Sequence, residues 1–108
     1  MQSRNFDFET LNAYQLAMEF TLFVRTLKVA AIDRKVFNHL VDSADSAVLN
    51  IAEGRGRTGR ARLNHYEIAL GAAGEAAAAL DIIRRGKRDE QSAMIRRVGA
   101  MLSGLTAR

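Results

Sequence analysis

Apolar positions in this chain recur at intervals of three and four in four separate stretches, and no stretch alternates as a strand would. The first stretch predicts a helix from roughly Thr10 to Lys28, with Leu11, Tyr14, Met18, Leu22 and Leu27 on its inner face and Asp7 or Thr10 as its cap. Val29 to Asp33 forms the first connection. A second helix runs from Asp33, a good N-cap, to Glu53. Val36, Phe37, Leu40, Val41, Ala44, Ala47, Val48 and Ile51 share one side of it, and Asp42, Asp45, Ser46 and Glu53 the other. Gly54 falls where a helix-ending C′ glycine belongs. The third helix, about Arg60 to Arg85, carries two adjacent stripes: Leu63, Tyr66, Leu70, Ala73, Ala77 and Leu80, then Ala69, Ala72, Ala76, Ala79 and Ile83. Ile68, Ala78 and Ile82 occupy its remaining side. The fourth follows Gly86 and Asp89, with Met94, Ile95, Val98, Met101, Leu102 and Leu105 on one face, weakened by Gly99 and Gly104. Four helices with short connections in 108 residues predict one domain, residues 1–108, folded as an all-α, up-down-up-down four-helix bundle.

The third helix changes this picture. Between Ile68 and Ile83 only Glu75 and Asp81 are charged. A helix apolar nearly all round is usually buried all round, and a lone four-helix bundle would leave part of it exposed. The expectation is a further face against another subunit. The competing reading is that alanine is a strong helix former whose small side chain tolerates water.

Proline and cysteine are absent. Average usage of ~5% would give about five prolines, so nothing interrupts long helices. Without cysteine there is no disulfide framework and no thiolate metal site, which is compatible with a reducing cytoplasm. No apolar run approaches the ~18 residues of a membrane span, and Met1 to Asn5 lack the apolar stretch of a signal peptide. A cytoplasmic protein with no membrane partner is expected.

Charge is divided unevenly along the chain. Residues 1–53 hold five Lys/Arg against seven Asp/Glu, and residues 54–108 hold eleven against five. Thirteen of the sixteen basic residues are arginine, the better type for bidentate phosphate contact. Arg55, Arg57, Arg60 and Arg62 lie within eight residues around Gly54, Gly56 and Gly59, and Arg84, Arg85, Lys87 and Arg88 form a second cluster. Glycines let backbone N–H groups approach phosphates, arginines supply charge, and the following helix offers its N-terminus. These eight basic residues are the candidate nucleic-acid contacts, for RNA or DNA. The competing reading is complementation of helix C-terminal dipoles, which applies to Arg55, Arg57 and the second cluster; Arg60 and Arg62 open a helix. A third helix of about 25 residues spans ~37 Å, which puts the two clusters at opposite ends of the subunit.

Gly54 to Gly59 also fits G-x-G-x-x-G, but a dinucleotide site needs a strand before it, and none is predicted. Gly56 to Gly59 matches the GXXG loop of KH domains, whose fold needs a sheet. His39 and His65 are the only histidines, with no H-E-x-x-H and no di-iron E-x-x-H pair. The serines lack a recognisable base. No catalytic residue, metal or cofactor is expected.

Ser46-Ala47-Val48-Leu49-Asn50-Ile51-Ala52-Glu53-Gly54 resembles the Ser-Ile-Pro-Ser-Asn-Ile-Ala-Glu-Gly segment of the four-helix-bundle proteins encoded in intervening sequences of bacterial large-subunit ribosomal RNA genes. Tyr66 to Glu75 is similar to that family's third helix, and Phe8-Glu9-Thr10-Leu11 with Ala13-Tyr14-Gln15 to its opening. Val48 replaces the family's proline, Leu49 its serine on the outer face, and Ala72 a serine of the third helix. The resemblance implies a bundle assembling into a ring, commonly a pentamer, with no established enzymatic activity. A related group serves diversity-generating retroelements as accessory proteins, which implies nucleic acid and a reverse transcriptase as partners. Leu49, Asn50, Glu53, Ala72, Glu75, Ala76 and Ala79 are the candidate subunit-interface residues. Asn50 is expected to bond across helices or cap a neighbour, Glu53 to pair with an arginine of the loop, and Glu75 to meet an arginine of the next subunit. The function expected is that of a non-catalytic oligomer binding RNA or DNA through the arginine-glycine loop as an accessory factor; the alternative is a structural adaptor that binds protein and whose charge serves solubility.

Overall fold

The computed structural model describes residues 6, 8 and 11–107. Within them lie four α-helices and no strand: α1 (Asn12–Val24), α2 (Arg34–Arg55), α3 (Gly59–Ile83) and α4 (Glu90–Thr106), with a single 3-10 turn at Ala31–Asp33. α2 packs along α3, α3 against α4, and α1 against both α2 and α4. One core fills the centre. Phe20 and Val24 of α1, Leu40 and Ile51 of α2, Leu80 of α3, and Ile95, Val98 and Leu102 of α4 are fully or almost fully buried in it.

The buried face of α1 differs from the predicted one. Ala13, Ala17, Phe20, Thr21 and Val24 point inward. Of the expected stripe, Leu11, Tyr14, Met18 and Leu27 pack only at the margin, and Leu22 is 57% exposed. α1 is apolar on several sides, so periodicity alone leaves its orientation open. Thr21 decides part of it, because its hydroxyl donates to Asp45 of α2 at 2.6 Å.

Helix ends are set by devices that reach outside the helix. α1 stops at Val24 rather than Lys28, where the amide and hydroxyl of Thr26 both bond the Phe23 carbonyl. Its N-cap position is Leu11; the candidate caps Asp7 and Thr10 lie outside the described residues. Asp33 does stand at the N-cap position of α2, but its carboxylate accepts from Arg85 instead of capping. Asp89 caps α4 as expected, accepting from the amides of Gln91 and Ser92 in a capping box. α3 ends in a Schellman arrangement: the Gly86 amide bonds the Asp81 carbonyl and the Arg85 amide that of Ile82. The C′ position there, φ 57°, is held by Arg85, where glycine is the usual occupant.

Gly54 is not the end of α2. The helix continues through Arg55, and Gly56 behind it stays right-handed at φ −78°. Gly54 is instead a contact glycine: a Cβ there would lie 2.8 Å from two carbons of the buried Tyr66 ring. The reversal into α3 uses Gly59, at φ 57°.

Candidate functional site

The α2–α3 turn, residues 56–58, is short and tightly bound. Arg62 sits one turn into α3 and folds back over the end of α2. Its Nε donates to the carbonyls of Arg57 at 2.7 Å and Gly54 at 3.2 Å, and its Nη2 to that of Arg55 at 3.0 Å. The last carbonyls of a helix have no partner within it, and a guanidinium placed over them satisfies them and complements the negative dipole end. Arg62 opens one helix and yet complements a C-terminal dipole, that of the preceding helix. Arg57 pairs with Glu53 at 2.7 Å, the expected partnership. Arg57, with His65 as a lesser contributor, holds the Glu53 carboxyl below its usual value. Arg55 is half-buried. Arg60 is exposed, and no described residue pairs with it.

Asn50 does bond across helices. Its amide donates to the carbonyl and hydroxyl of Ser46, and its oxygen lies 2.9 Å from His65 Nδ1 on α3. With the Asn50 oxygen as acceptor, His65 carries its proton on Nδ1.

The second basic cluster is also engaged within the chain. Arg84 pairs with Asp89 and lies over the Phe23 ring. Arg85 takes the Asp33 carboxylate in a fork, at 3.2 and 3.3 Å. Asp81 receives Arg96 at 2.7 Å and Arg88 at 3.3 Å. Arg96 is thus a half-buried structural residue, while Arg97 faces solvent. Lys87 has no partner among the described residues. In and beside the α1–α2 connection, Lys28, Arg34 and Lys35, which the sequence did not single out, are exposed and have no partner among the described residues.

The expected interface residues divide three ways. Leu49 is 66% exposed, as its position opposite the core stripe implies. Ala76 is fully buried inside the subunit, and Ala72 and Ala79 nearly so, because α2 approaches this side of α3 closely; Ala76 is unavailable to a neighbour in this fold. The outward apolar side of α3 carries Ile68 and Ile82, each about half exposed. Between α2 and α3 runs a shallow groove in two adjoining parts of about 350 and 240 Å³. Its floor is small (Ser43, Gly71, Ala72, Ala79), Ile68 and Ile82 stand along it, and Asp42, Glu67 and Glu75 make it acidic. Glu75 accepts a 3.1 Å bond from Ser43 of its own subunit. On the other flank of α2, Met18 and Leu22 of α1 with Val48 and Leu49 form a second apolar surface, beside Arg25.

Among the described residues no three His, Cys, Asp or Glu side chains gather as metal ligands, and no helix is long and apolar enough to cross a membrane. His39 and His65 stand apart: His39 lines the groove and His65 is bound to Asn50. Protein-family models, curated proteins and solved structures were all compared with the chain, and none matches.

Proposed function

We propose that this protein is a non-catalytic cytoplasmic scaffold, an up-down-up-down bundle that assembles with copies of itself and acts as an adaptor. The carrying observation is the pair of unlike surfaces on one subunit that expose large apolar side chains, Leu22 and Leu49 around a shallow pocket of about 400 Å³, and Ile68 and Ile82 along the acidic groove. Large apolar side chains exposed together mark interaction surfaces. Two different surfaces that fit each other make a heterologous contact, which closes into a ring when the rotation allows. Connections short enough to join adjacent helices support the up-down order, and the resemblance to the intervening-sequence bundle family supports a pentamer. Leu49 and Glu75 remain the interface residues of choice from the sequence, joined by Leu22, Ile68 and Ile82.

Light scattering tests this reading. A multiple of the subunit mass is expected at micromolar concentration, reduced to the monomer by Leu49→Arg. A native monomer would sink it.

A second reading, a nucleic-acid accessory factor working with RNA or DNA and a reverse transcriptase, is favoured by one observation. Among the described residues, cations remain unpartnered after the internal ion pairs are formed, Arg60 at one end of the subunit, Lys28, Arg34, Lys35 and Lys87 at the other, and Arg97 on α4.

A further inference from the structure

The end of the subunit made by the α1–α2 and α3–α4 connections concentrates positive charge in a way the sequence hides. Asp33 and Arg85, 52 residues apart, are bridged at 3.2 Å, and this joins the two connections. Arg34 and Lys35 follow Asp33 directly, and Lys87 follows Arg85 by two residues in the turn before α4. Lys28 stands in the α1–α2 connection. All four are exposed, and none has a partner among the described residues. Asp33, Asp81 and Asp89 are already occupied by arginines, which leaves Glu90 as the nearby carboxylate outside a pair. Arg85 and Arg88 are paired but still 61% exposed, and each guanidinium has five N–H donors, more than its carboxylate partner takes.

We infer that this end, and not the glycine-arginine turn between α2 and α3, is the phosphate-contacting surface for nucleic acid; the inference rests on the second reading above. At the α2–α3 turn Arg62 is bound to three carbonyls and Arg57, 54% exposed, is paired with Glu53, which leaves Arg60 as the one cation named there that is exposed and without a partner among the described residues. At the opposite end the free cations are contributed by two connections. Its most exposed large apolar side chain is Ile32, beside small alanines, and the half-exposed Ile82 lies one turn before Arg85 on α3. Four unpartnered cations outnumber the two exposed isoleucines, which stand on different elements, and such an ionic surface suits the dense phosphate charge of a duplex more than insertion into a lipid.

The test is fluorescence anisotropy with a labelled RNA duplex and a matched DNA duplex, at low and at physiological ionic strength. Three proteins are compared: the native chain, a variant with Lys28, Arg34, Lys35 and Lys87 all changed to Gln, and one with Arg55, Arg57 and Arg60 changed to Gln. Arg62 stays in place, and thermal melts with light scattering confirm that each variant is folded and assembled as the native chain is. Each phosphate contact on a duplex adds about 0.9 to the logarithmic salt slope, so four lost contacts flatten it by roughly 3.6 and weaken low-salt binding by at least about tenfold. That loss in the first variant, with a smaller one in the second, is the expected result. Loss confined to the second variant would overturn the assignment and leave the nucleic-acid reading standing. Absence of binding by the native protein would end both. Vesicles rich in phosphatidylserine form the remaining arm, and binding to them in preference to either duplex would overturn the nucleic-acid assignment.

Discussion

A single carbon added at Gly54 would meet the face of Tyr66, whose ring is 3% exposed and has little room to turn. Helix propensity favours alanine over glycine by about 1 kcal/mol, whereas overpacking a filled site costs about 1–3 kcal/mol. The contact is short enough that packing outweighs propensity, so Gly54→Ala is expected to lower stability, by up to about 2 kcal/mol in urea unfolding. Gly74, exposed in mid-α3 with nothing within 4 Å of the place a methyl group would take, is the control, and Gly74→Ala should raise stability by about 0.5–1 kcal/mol. If both variants gained, the close approach at Gly54 would carry no weight. Arg62 gives the second comparison at this scale. Removing its three charge-assisted bonds in Arg62→Ala strands carbonyls at the end of α2, an expected loss of about 1–3 kcal/mol. Arg60→Ala should stay within about 0.5 kcal/mol of native, as exposed substitutions do. Equal melting temperatures for the two would refute the clamp.

Between elements, the polar link from α1 to α2 is a small network: Thr21 and Arg25 of α1 both bond Asp45, at 2.6 and 2.7 Å. Arg25, and after it Thr21, hold the Asp45 carboxyl below its usual value, and Asp45 in turn raises that of Arg25. A carboxyl depressed in the folded state adds stability above its unfolded value, near ~3.9, and that stability is lost as pH falls through the lower folded value. Both side chains are more than a third exposed, so the pair contributes about 1 kcal/mol at most. Asp45→Asn should therefore be less stable than native from about pH 4 upward, with the gap closing below it; a gap independent of pH would show that the charge is irrelevant. Legibility differed from element to element for physical reasons. α2 and α4 have one apolar side each, so periodicity named Leu40, Ala44, Ile51, Ile95, Val98 and Leu102 correctly. α1 offers several, and only Thr21 and the small Ala13 and Ala17, which permit close approach, select the buried one. The arginine run around Gly56 was visible, but its engagement was not, because Arg62 acts on carbonyls across a turn. Lys87 was legible as part of the second basic cluster, but Lys28, Arg34 and Lys35 gave no local signal, since it takes two distant connections to bring all four to one end.

For the whole molecule, the order of assembly follows from which surface meets which. In the proposed head-to-tail assembly, the exposed Leu22 and Leu49 of one subunit form a ridge seated in the groove of the next, which leaves every subunit with one donor face and one acceptor face. Leu49→Arg removes the ridge and keeps the groove edged by Ile68 and Ile82. Ile68→Arg does the reverse. Each variant alone has no complementary pair and should be monomeric by light scattering. Mixed in equal amounts, they regain one contact, the ridge of the Ile68→Arg subunit in the groove of the Leu49→Arg subunit. The mass should then double and stop there, because the two remaining faces carry the substituted arginines. An isologous contact behaves otherwise, since ridge on ridge would leave Ile68→Arg dimeric on its own and mixing would add nothing. The mass of the mixture, set against that of each variant alone, therefore separates a head-to-tail ring from a symmetric pair.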